Sequence, residues 1–441
     1  MDSTFSSRHD RVGLLSTIYA RHVDVKKNGL NVFAGNAAAG RLERSDREPD
    51  TLLFTYGEHS PPEQAVSLTM PVRADQYDAS GGLLPVFEMN LPEGALRERL
   101  RLRFAKAIPE FDDLDLLTIV GASQIGRLRY SPQARLREDV PPQDLDEILT
   151  YRGAADLFAH LLDKFASYSG ISGIQPKVLV RDEKVPDKLT DRGATHIVKT
   201  YDAAEYPELA ANELICTRGA AAAGIPTANL MLSRNRRLLV AERFDRRTQG
   251  VYLGLEDFCV LEGMRSHGRY DGSYEGIARR MADFVSPAVL PQAREQYAMM
   301  VAYSCAIENG DAHLKNFAVL YDSPEREIRL APAFDIVSTT PYLPKDTLAL
   351  TLGGTKSFPS RDSLLRLMRN ITSKSQRATV ELLDRVAHGV SVAIADARLY
   401  GQRHVSARKF SDRVIEVMTR GLDRLGYKPI QRPVSDSPLT G

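Results

Sequence analysis

The chain has 441 residues, enough to bury a substantial core and to divide into two or three units of domain size. Lys plus Arg number 58 against 57 Asp plus Glu, a net charge of +1, so no overall charge field points to a nucleic-acid or membrane partner. The three cysteines, Cys216, Cys259 and Cys305, lie far apart with no CxxC pair, which fits a reducing compartment and argues against a disulfide framework or a cysteine-based zinc site.

In chain order, the opening MDSTFSSRHDRVGLL carries charges where a signal peptide needs an apolar core, and no run reaches membrane-spanning length. The expectation is a soluble cytoplasmic protein with a loose leader over 1–18. Residues 19–130 read as short strands and turns (LNVFAGNAAAGRLER, TLLFTYG, VSLTMPV) with helices at EGALRERLRLRFAK and DDLDLLTIVG. The stretch 131–147, rich in proline and charge, reads as a linker. A helix is expected over LTYRGAADLFAHLLDKFASY (149–168), and 148–260 forms a β-rich unit. Residues 261–432 read as a mostly helical lobe, and 433–441 as a disordered tail. The basic run RERLRLRFAK (97–106) fits a solvated helix face better than a DNA contact.

Three polar constellations stand out. The first is NGDAHLKN (309–316), between a helix, PQAREQYAMMVAYSCAIEN, and a strand, 317–321. After the turn DSPERE, a second strand, IRLAPAF, ends at Asp335. An antiparallel hairpin joins its outer ends, so Asn316 and Asp335 should meet. Both are hard oxygen ligands suited to Mg²⁺. Asp311, five residues before Asn316, can orient a hydroxyl and accept its proton. One carboxylate on the nucleophile and an Asn–Asp pair on metal is what phosphoryl transfer needs. A polar turn with Gly310 is the bland alternative.

The second constellation is YSGISGIQPKVLV (168–180). Gly170 and Gly173 precede a strand over 177–181, and the returning strand THIVKT ends at Lys199. Small residues let backbone N–H groups approach phosphate oxygens, and lysine adds a point charge. No GxxxxGK[ST] is present, so a P-loop NTPase is not supported. The third is RRLLVAERFDRR (236–247), in which Glu242, Phe244 and Asp245 follow an alternating strand. Such an edge can offer backbone groups and an aromatic wall to adenine. Between them lies the amphipathic helix YPELAANELICTRGAAAAGIP. Its Glu213 can pair with Lys199, with Glu208 and Glu205 as competitors.

The order of these parts is that of a two-lobed kinase. More narrowly, the chain resembles the HipA family of toxin serine/threonine kinases. The matching text is SGIQPK, HIVKT, NEL, ERFDR, LEDFC, NGDAHLKNF and FDI, with LTMPV, NLPEG and LLTIVGASQIGRL in the N-terminal part. The resemblance covers roughly residues 30 to 420. It implies an α+β, two-lobed protein-kinase-like fold related to the phosphoinositide kinases. A β-rich N-terminal lobe would carry a HipA N-terminal subdomain, followed by a mostly helical C-terminal lobe. It implies ATP and Mg²⁺ as cofactors. Asp311 would be the catalytic aspartate, with Lys199 and His313 beside it. Gly170, Ser172, Gly173, Gln175, Lys177, Lys199, Glu242, Phe244 and His313 would bind nucleotide, and Asn316 and Asp335 the metal.

It further implies a HipB-like DNA-binding antitoxin as partner, with DNA reached only through that complex, and a protein substrate such as an aminoacyl-tRNA synthetase. The family's autophosphorylated serine aligns with Gly170 here, which makes Ser172, ahead of Ser169, the expected modification site. Alternatives are a small-molecule kinase of the aminoglycoside or homoserine type, since GDAHLKN is close to their G-D-x-H-x-x-N loops, and a non-catalytic partner of an antitoxin–DNA complex. A metallophosphatase would need a second Asp/His cluster, and the nine histidines form none in the sequence.

Overall fold

The computed structural model describes residues 29–428 apart from 49, 105–107, 109–110, 137, 153–155, 185–191 and 248–249. The expected leader and tail lie outside the described residues. The N-terminal unit is an antiparallel sheet in the order β4-β3-β2-β1-β5, built from β1 Leu30–Ala34, β2 Ala37–Arg44, β3 Thr51–Tyr56, β4 Tyr77–Ser80 and β5 Leu128–Ser131. Helices Gly94–Phe104 and Asp113–Val120 cover it, the second opened by a capping box between Asp112 and Asp115. On the first helix Arg97 pairs with Asp113 at 2.5 Å, Arg101 with Glu98 at 2.8 Å, and Arg99 with Asp163, so the basic run is largely neutralised within the chain.

The expected linker is packed structure. Its residues 142–143 form β6, parallel to the next strand, and Leu145 and Ile148 on the helix Leu145–Thr150 are buried. The helix expected over 149–168 is shorter than its pattern. It begins at Leu157, where the Asp156 side chain accepts from the Ala159 N–H, and ends at Phe165.

The second sheet has the order β6-β7-β8-β10-β9, with β7 Lys177–Asp182, β8 His196–Lys199, β9 Leu230–Leu232 and β10 Leu239–Glu242. β7 is buried over Lys177–Arg181, which is why it reads as a continuous apolar run and not as an alternation. One core joins this sheet to the N-terminal unit: Phe54, Phe87 and Leu117 belong to the same cluster as Val178, Val198 and Val240. A third sheet, β11 Gly254–Asp257, β12 Ala318–Tyr321 and β13 Ile328–Leu330, fronts the helical lobe. That lobe contains Tyr274–Phe284, Leu290–Ala306, Arg361–Thr372, Gln376–Arg403 and Arg408–Arg424. No helix among the described residues is long and apolar enough to cross a membrane.

The helix Leu209–Ala222 belongs by packing to the helical lobe. It crosses Gln376–Arg403 so closely that a Cβ on Gly219 would stand 2.8 Å from the Gly389 carbonyl oxygen, and one on Gly389 would stand 2.3 Å from that of Gly219. Glycine on both partners is what permits the approach.

Between the N-terminal unit and the second sheet, Arg243 and Asp245 form a buried pair (Nε–Oδ1 3.0 Å, Nη2–Oδ2 2.6 Å). Arg243 also donates to the Gln124 carbonyl at 2.8 Å, and Asp245 accepts from the Gly126 N–H at 2.6 Å, so the pair clips the N-terminal unit to the second sheet. Burial pushes the Asp245 carboxyl up, but the charge and hydrogen bonds of Arg243 outweigh it and the net direction is down. Asp245→Asn should therefore cost about 3–5 kcal/mol of stability at neutral pH. The wild-type advantage is complete above about pH 4 and shrinks as pH falls through the depressed native value. Urea titrations of both proteins from pH 7 downward check this; a difference under about 1 kcal/mol at pH 7 would reduce the pair to an incidental contact.

Candidate active site

All the expected site residues but Gly170 converge on one cavity of about 700 Å³ between the lobes. The β7–β8 hairpin forms its roof. The two strands are in register with Lys177 opposite Lys199, and the Thr200 N–H donates to the Pro176 carbonyl at 2.9 Å. The loop before β7 and the end of β8 thus meet at one end, and Ser172, Gly173 and Gln175 line the cavity with both lysines. Gly173 is required as glycine: its φ is +116° and a Cβ would stand 2.4 Å from Lys177 Nζ.

Gly170 is placed elsewhere. Its N–H donates to the Ser123 carbonyl at 2.9 Å, its own carbonyl accepts from Ile125 N–H at 3.2 Å, and a Cβ would meet Gln124 Cγ at 2.4 Å. The first half of the glycine loop is therefore spent as a rung against the N-terminal unit, and only the second half faces the cavity.

Lys199 is the centre of the site. It is 4% exposed, and its ammonium donates to Glu213 Oε1 at 2.6 Å and to Asp335 Oδ1. Of the three candidate glutamates, Glu213 is the partner. Glu208 instead accepts from Arg236 at 2.9 Å and from Tyr400. Burial pushes Lys199 toward losing its proton, but the two carboxylates outweigh it and hold it charged. Burial pushes Glu213 up, while the charges of Lys199 and Lys177 overcome burial at Asp335 and hold that carboxyl down. Lys177 is 5% exposed, and its ammonium makes no hydrogen bond with the described residues; burial pulls its pKa down.

The floor comes from the third sheet. β12 and β13 pair with Val319 opposite Leu330, and the Ala331 N–H donates to the Ala318 carbonyl at 2.8 Å. Asn316 and Asp335, before and after this hairpin, both line the cavity. Asn316 caps its own turn, Oδ1 accepting from the His313 N–H at 3.0 Å. Asp335 sits at φ +54°, a left-handed conformation uncommon outside glycine. Asp311 is exposed to the cavity, and its Oδ1 accepts from the Tyr270 hydroxyl at 2.9 Å. His313 is buried, which pulls its pKa down, and its Nδ1 has no hydrogen-bond partner among the described residues.

Toward the hinge, Ile197, Leu230, Ala241 and Leu255 make an apolar wall with Phe244 and Phe334, whose rings lie 5.8 Å apart. Glu242 stands at its rim and accepts from Asn229 Nδ2 at 3.1 Å. Asp245, singled out with them in the sequence, is the structural partner of Arg243.

Sequence reasoning missed the contribution of the N-terminal unit. Met89, Asn90 and Ile125 line the cavity, and Lys315 of the central loop donates to the Met89 carbonyl at 2.9 Å and to Asp257 at 3.1 Å. It also missed Tyr270 and Arg269, which sit in the unpatterned text SHGRYDG. For Lys315 the signal was available, since it lies inside NGDAHLKN.

Oxygen donors at Asn316 and Asp335 fit a hard cation such as Mg²⁺, which takes few protein ligands and completes its shell from phosphate and water. No group of three or more His, Cys, Asp or Glu that could hold a metal forms among the described residues.

Residues 169–394 match the HipA-like C-terminal domain and residues 30–131 the HipA N-terminal domain. The chain is 30% identical over 307 residues to Y4dM of Sinorhizobium fredii, provisionally named a kinase, covering 64% of this chain and 69% of that protein. A second protein of that organism under the same provisional name, Y4mE, is 28% identical over 335 residues, covering 71% and 78%. Among solved structures, the HipA of Shewanella oneidensis MR-1, determined with HipB and its operator DNA, superposes with a TM-score of 0.67 at 19% identity, over 90% of this chain and 98% of that one. The fold is the expected one: α+β, with a sheet-rich N-terminal part and a helical C-terminal part.

A buried lysine whose ammonium has no hydrogen-bond partner among the described residues is costly unless a ligand uses it. Lys177→Met should therefore make the ligand-free protein about 1–2 kcal/mol more stable while weakening nucleotide binding. Chemical denaturation alongside calorimetric titration with ATP checks both signs, and a variant that loses stability while binding ATP normally would show Lys177 to be a structural lysine.

Proposed function

The chain belongs to the HipA family, and from that premise we propose that it is an ATP-dependent serine/threonine protein kinase, the toxin of a HipBA-like pair. The observation that carries the reading is Lys199 held between Glu213 and Asp335 in the cavity that also contains Asp311 and Asn316. This is the lysine–glutamate pair of a kinase next to its two acidic working residues. Adenine would lie against Phe244, Ile197 and Leu255, with the rim at Glu242. The phosphates would extend toward Lys177, Lys199 and the backbone of Ser172–Gln175. Asn316 and Asp335 would hold Mg²⁺, which when bound would offset phosphate charge.

In the reaction, Asp311 receives the acceptor hydroxyl, orients its oxygen toward the γ-phosphorus and accepts its proton as the new P–O bond forms. The bond from γ-phosphorus to the bridging oxygen breaks, and ADP departs with its charge on the phosphates facing the two lysines. Characterised members of the family extend the proposal to a translation component, such as an aminoacyl-tRNA synthetase, as acceptor. The partner would be a HipB-like DNA-binding protein, as in the Shewanella complex. The N-terminal unit that closes the cavity favours this over a small-molecule kinase.

Asp311→Asn should keep the fold and lower γ-phosphate transfer by about 10²–10⁴-fold, because an amide cannot take the proton. Transfer from labelled ATP to total bacterial protein, with circular dichroism as the fold control, checks it. Undiminished transfer would sink the assignment of Asp311.

The loop also supports an internal switch at Ser172. Ser169 is fully buried, its hydroxyl donating to the Phe165 carbonyl at 2.8 Å and accepting from the Leu179 N–H at 2.9 Å. Ser172 is half-buried on the cavity wall. A phosphate there would add roughly −1.5 to −2 charge beside the ATP phosphates and displace the loop. Incubation with Mg·ATP should place phosphate at Ser172, and Ser172→Asp should lose at least about tenfold in activity. Peptide mass spectrometry checks the first; phosphate at Ser169 alone would reject the assignment.

A further inference from the structure

The turn Ser266–Tyr270 is anchored at one end to the N-terminal unit and at the other to the catalytic loop. Arg265, just before it, donates to three carbonyls at the end of β4 and in the loop after it: Leu83 at 3.0 Å, Gly81 at 2.9 Å and Ser80 at 3.0 Å. Gly81 and Gly82, at φ +72° and +138°, turn that loop; a Cβ on Gly82 would already lie 3.3 Å from the guanidinium. The Ser266 N–H donates to Glu88 Oε1 at 3.2 Å, and Arg269 pairs with Glu93 at 2.7 Å. Tyr270 closes the turn. Its ring packs edge-on against His313, centroids 5.0 Å apart, and its hydroxyl donates to Asp311 Oδ1 at 2.9 Å. Burial, then the neighbouring Asp311, pushes the phenol pKa up, so the hydroxyl stays a donor. The other carboxylate oxygen, Oδ2, receives no hydrogen bond from the described residues.

We propose that Tyr270 is a positioning residue for Asp311: it engages Oδ1 so that Oδ2 is presented to the acceptor hydroxyl, and the N-terminal unit sets this geometry through the Ser266–Tyr270 turn. A general base works only when something fixes its orientation. An exposed aspartate without a partner would sample rotamers in which neither oxygen meets the acceptor. The inference rests on the kinase reading and assigns the N-terminal unit a part in it: holding the base still.

The test is a comparison of steady-state kinetics for the full chain, Tyr270→Phe and Arg265→Met, using labelled ATP and total bacterial protein as acceptor. Tyr270→Phe keeps the ring on His313 and removes only the hydroxyl. It should lower kcat by about tenfold, with the KM for ATP unchanged within about twofold, because the fault is in orientation and not in nucleotide binding. Arg265→Met, remote from the reacting atoms, should lower kcat by about threefold in the same pattern. The double variant should be no slower than Tyr270→Phe, because both act through one contact. A Phe variant with kcat at or above wild type would overturn the proposal, and independent multiplication of the two effects would overturn the route through the turn. A folded wild type that binds ATP but transfers no phosphate would sink the kinase reading and this inference with it. A working wild type with a full-speed Phe variant would sink the inference alone.

Discussion

One ammonium, that of Lys199, settles the relation between the parts of this molecule. It ends β8 of the upper sheet and meets Glu213 on a helix packed into the helical lobe, and Asp335 beyond the lower hairpin. Three segments from different parts of the chain must therefore agree on one point. If the strand end or the glutamate helix drifted, a buried charge would be left without its buried partner, a loss of roughly 3–5 kcal/mol. Much of the surrounding packing serves that agreement. The Gly219–Gly389 approach seats the helix, and Asn212, next to Glu213, exchanges hydrogen bonds with the Ser338 backbone, Nδ2 to O at 2.8 Å and N to Oδ1 at 3.1 Å. The glutamate helix and the segment after Asp335 are thus tied side by side before Lys199 is considered.

The N-terminal unit is built into the same arrangement. Its core runs on into the β7–β8–β10 sheet, and Gly94, at φ +50°, lets the glycine loop come so near that a Cβ would stand 2.9 Å from the Ile174 carbonyl oxygen. Glu256 of the third sheet, buried, accepts from the Ser67 hydroxyl at 2.5 Å and the Leu68 N–H at 3.0 Å. With the Arg243–Asp245 clip and the Arg265 contacts, this unit touches the roof, the hinge and the floor of the cleft. With Met89, Asn90 and Ile125 it also supplies part of the cavity lining.

What could be read in advance follows from the range of the interactions involved. The β7–β8 and β12–β13 hairpins are local, so their periodicity and turns put Lys199 near the glycine loop and sent Asn316 and Asp335 to one cavity without coordinates. Glu213 was one of three because helical spacing alone does not say which face meets a lysine fourteen residues back; the Gly219 contact with a helix some 170 residues later decides it. Gly170 looked like part of a phosphate cradle because its neighbours in sequence line the cavity, and the segment that occupies its backbone, 123–125, is remote. The 131–147 stretch looked like a linker because proline and charge hide how Val140 and Leu145 are buried. Tyr270 and Arg269 carried no motif, because their roles depend wholly on partners in other elements.

Two carboxylates for one lysine looks redundant until the conformation of Asp335 is considered. At φ +54° its backbone costs on the order of 1–2 kcal/mol relative to an ordinary conformation. What that conformation achieves is to turn the side chain back into the cleft, onto Lys199, where the contact offsets the strain. The same turn leaves the carboxylate about one-third exposed, facing the cavity where phosphate would lie. Should Asp335 give its oxygen to a cation arriving with nucleotide, Lys199 would lose one partner. It would not be stranded, because Glu213, 3% exposed and at 2.6 Å, stays with it. The buried carboxylate would then be the anchor and Asp335 the exchangeable partner, so a ligand could draw on Asp335 without disturbing the joint between the lobes.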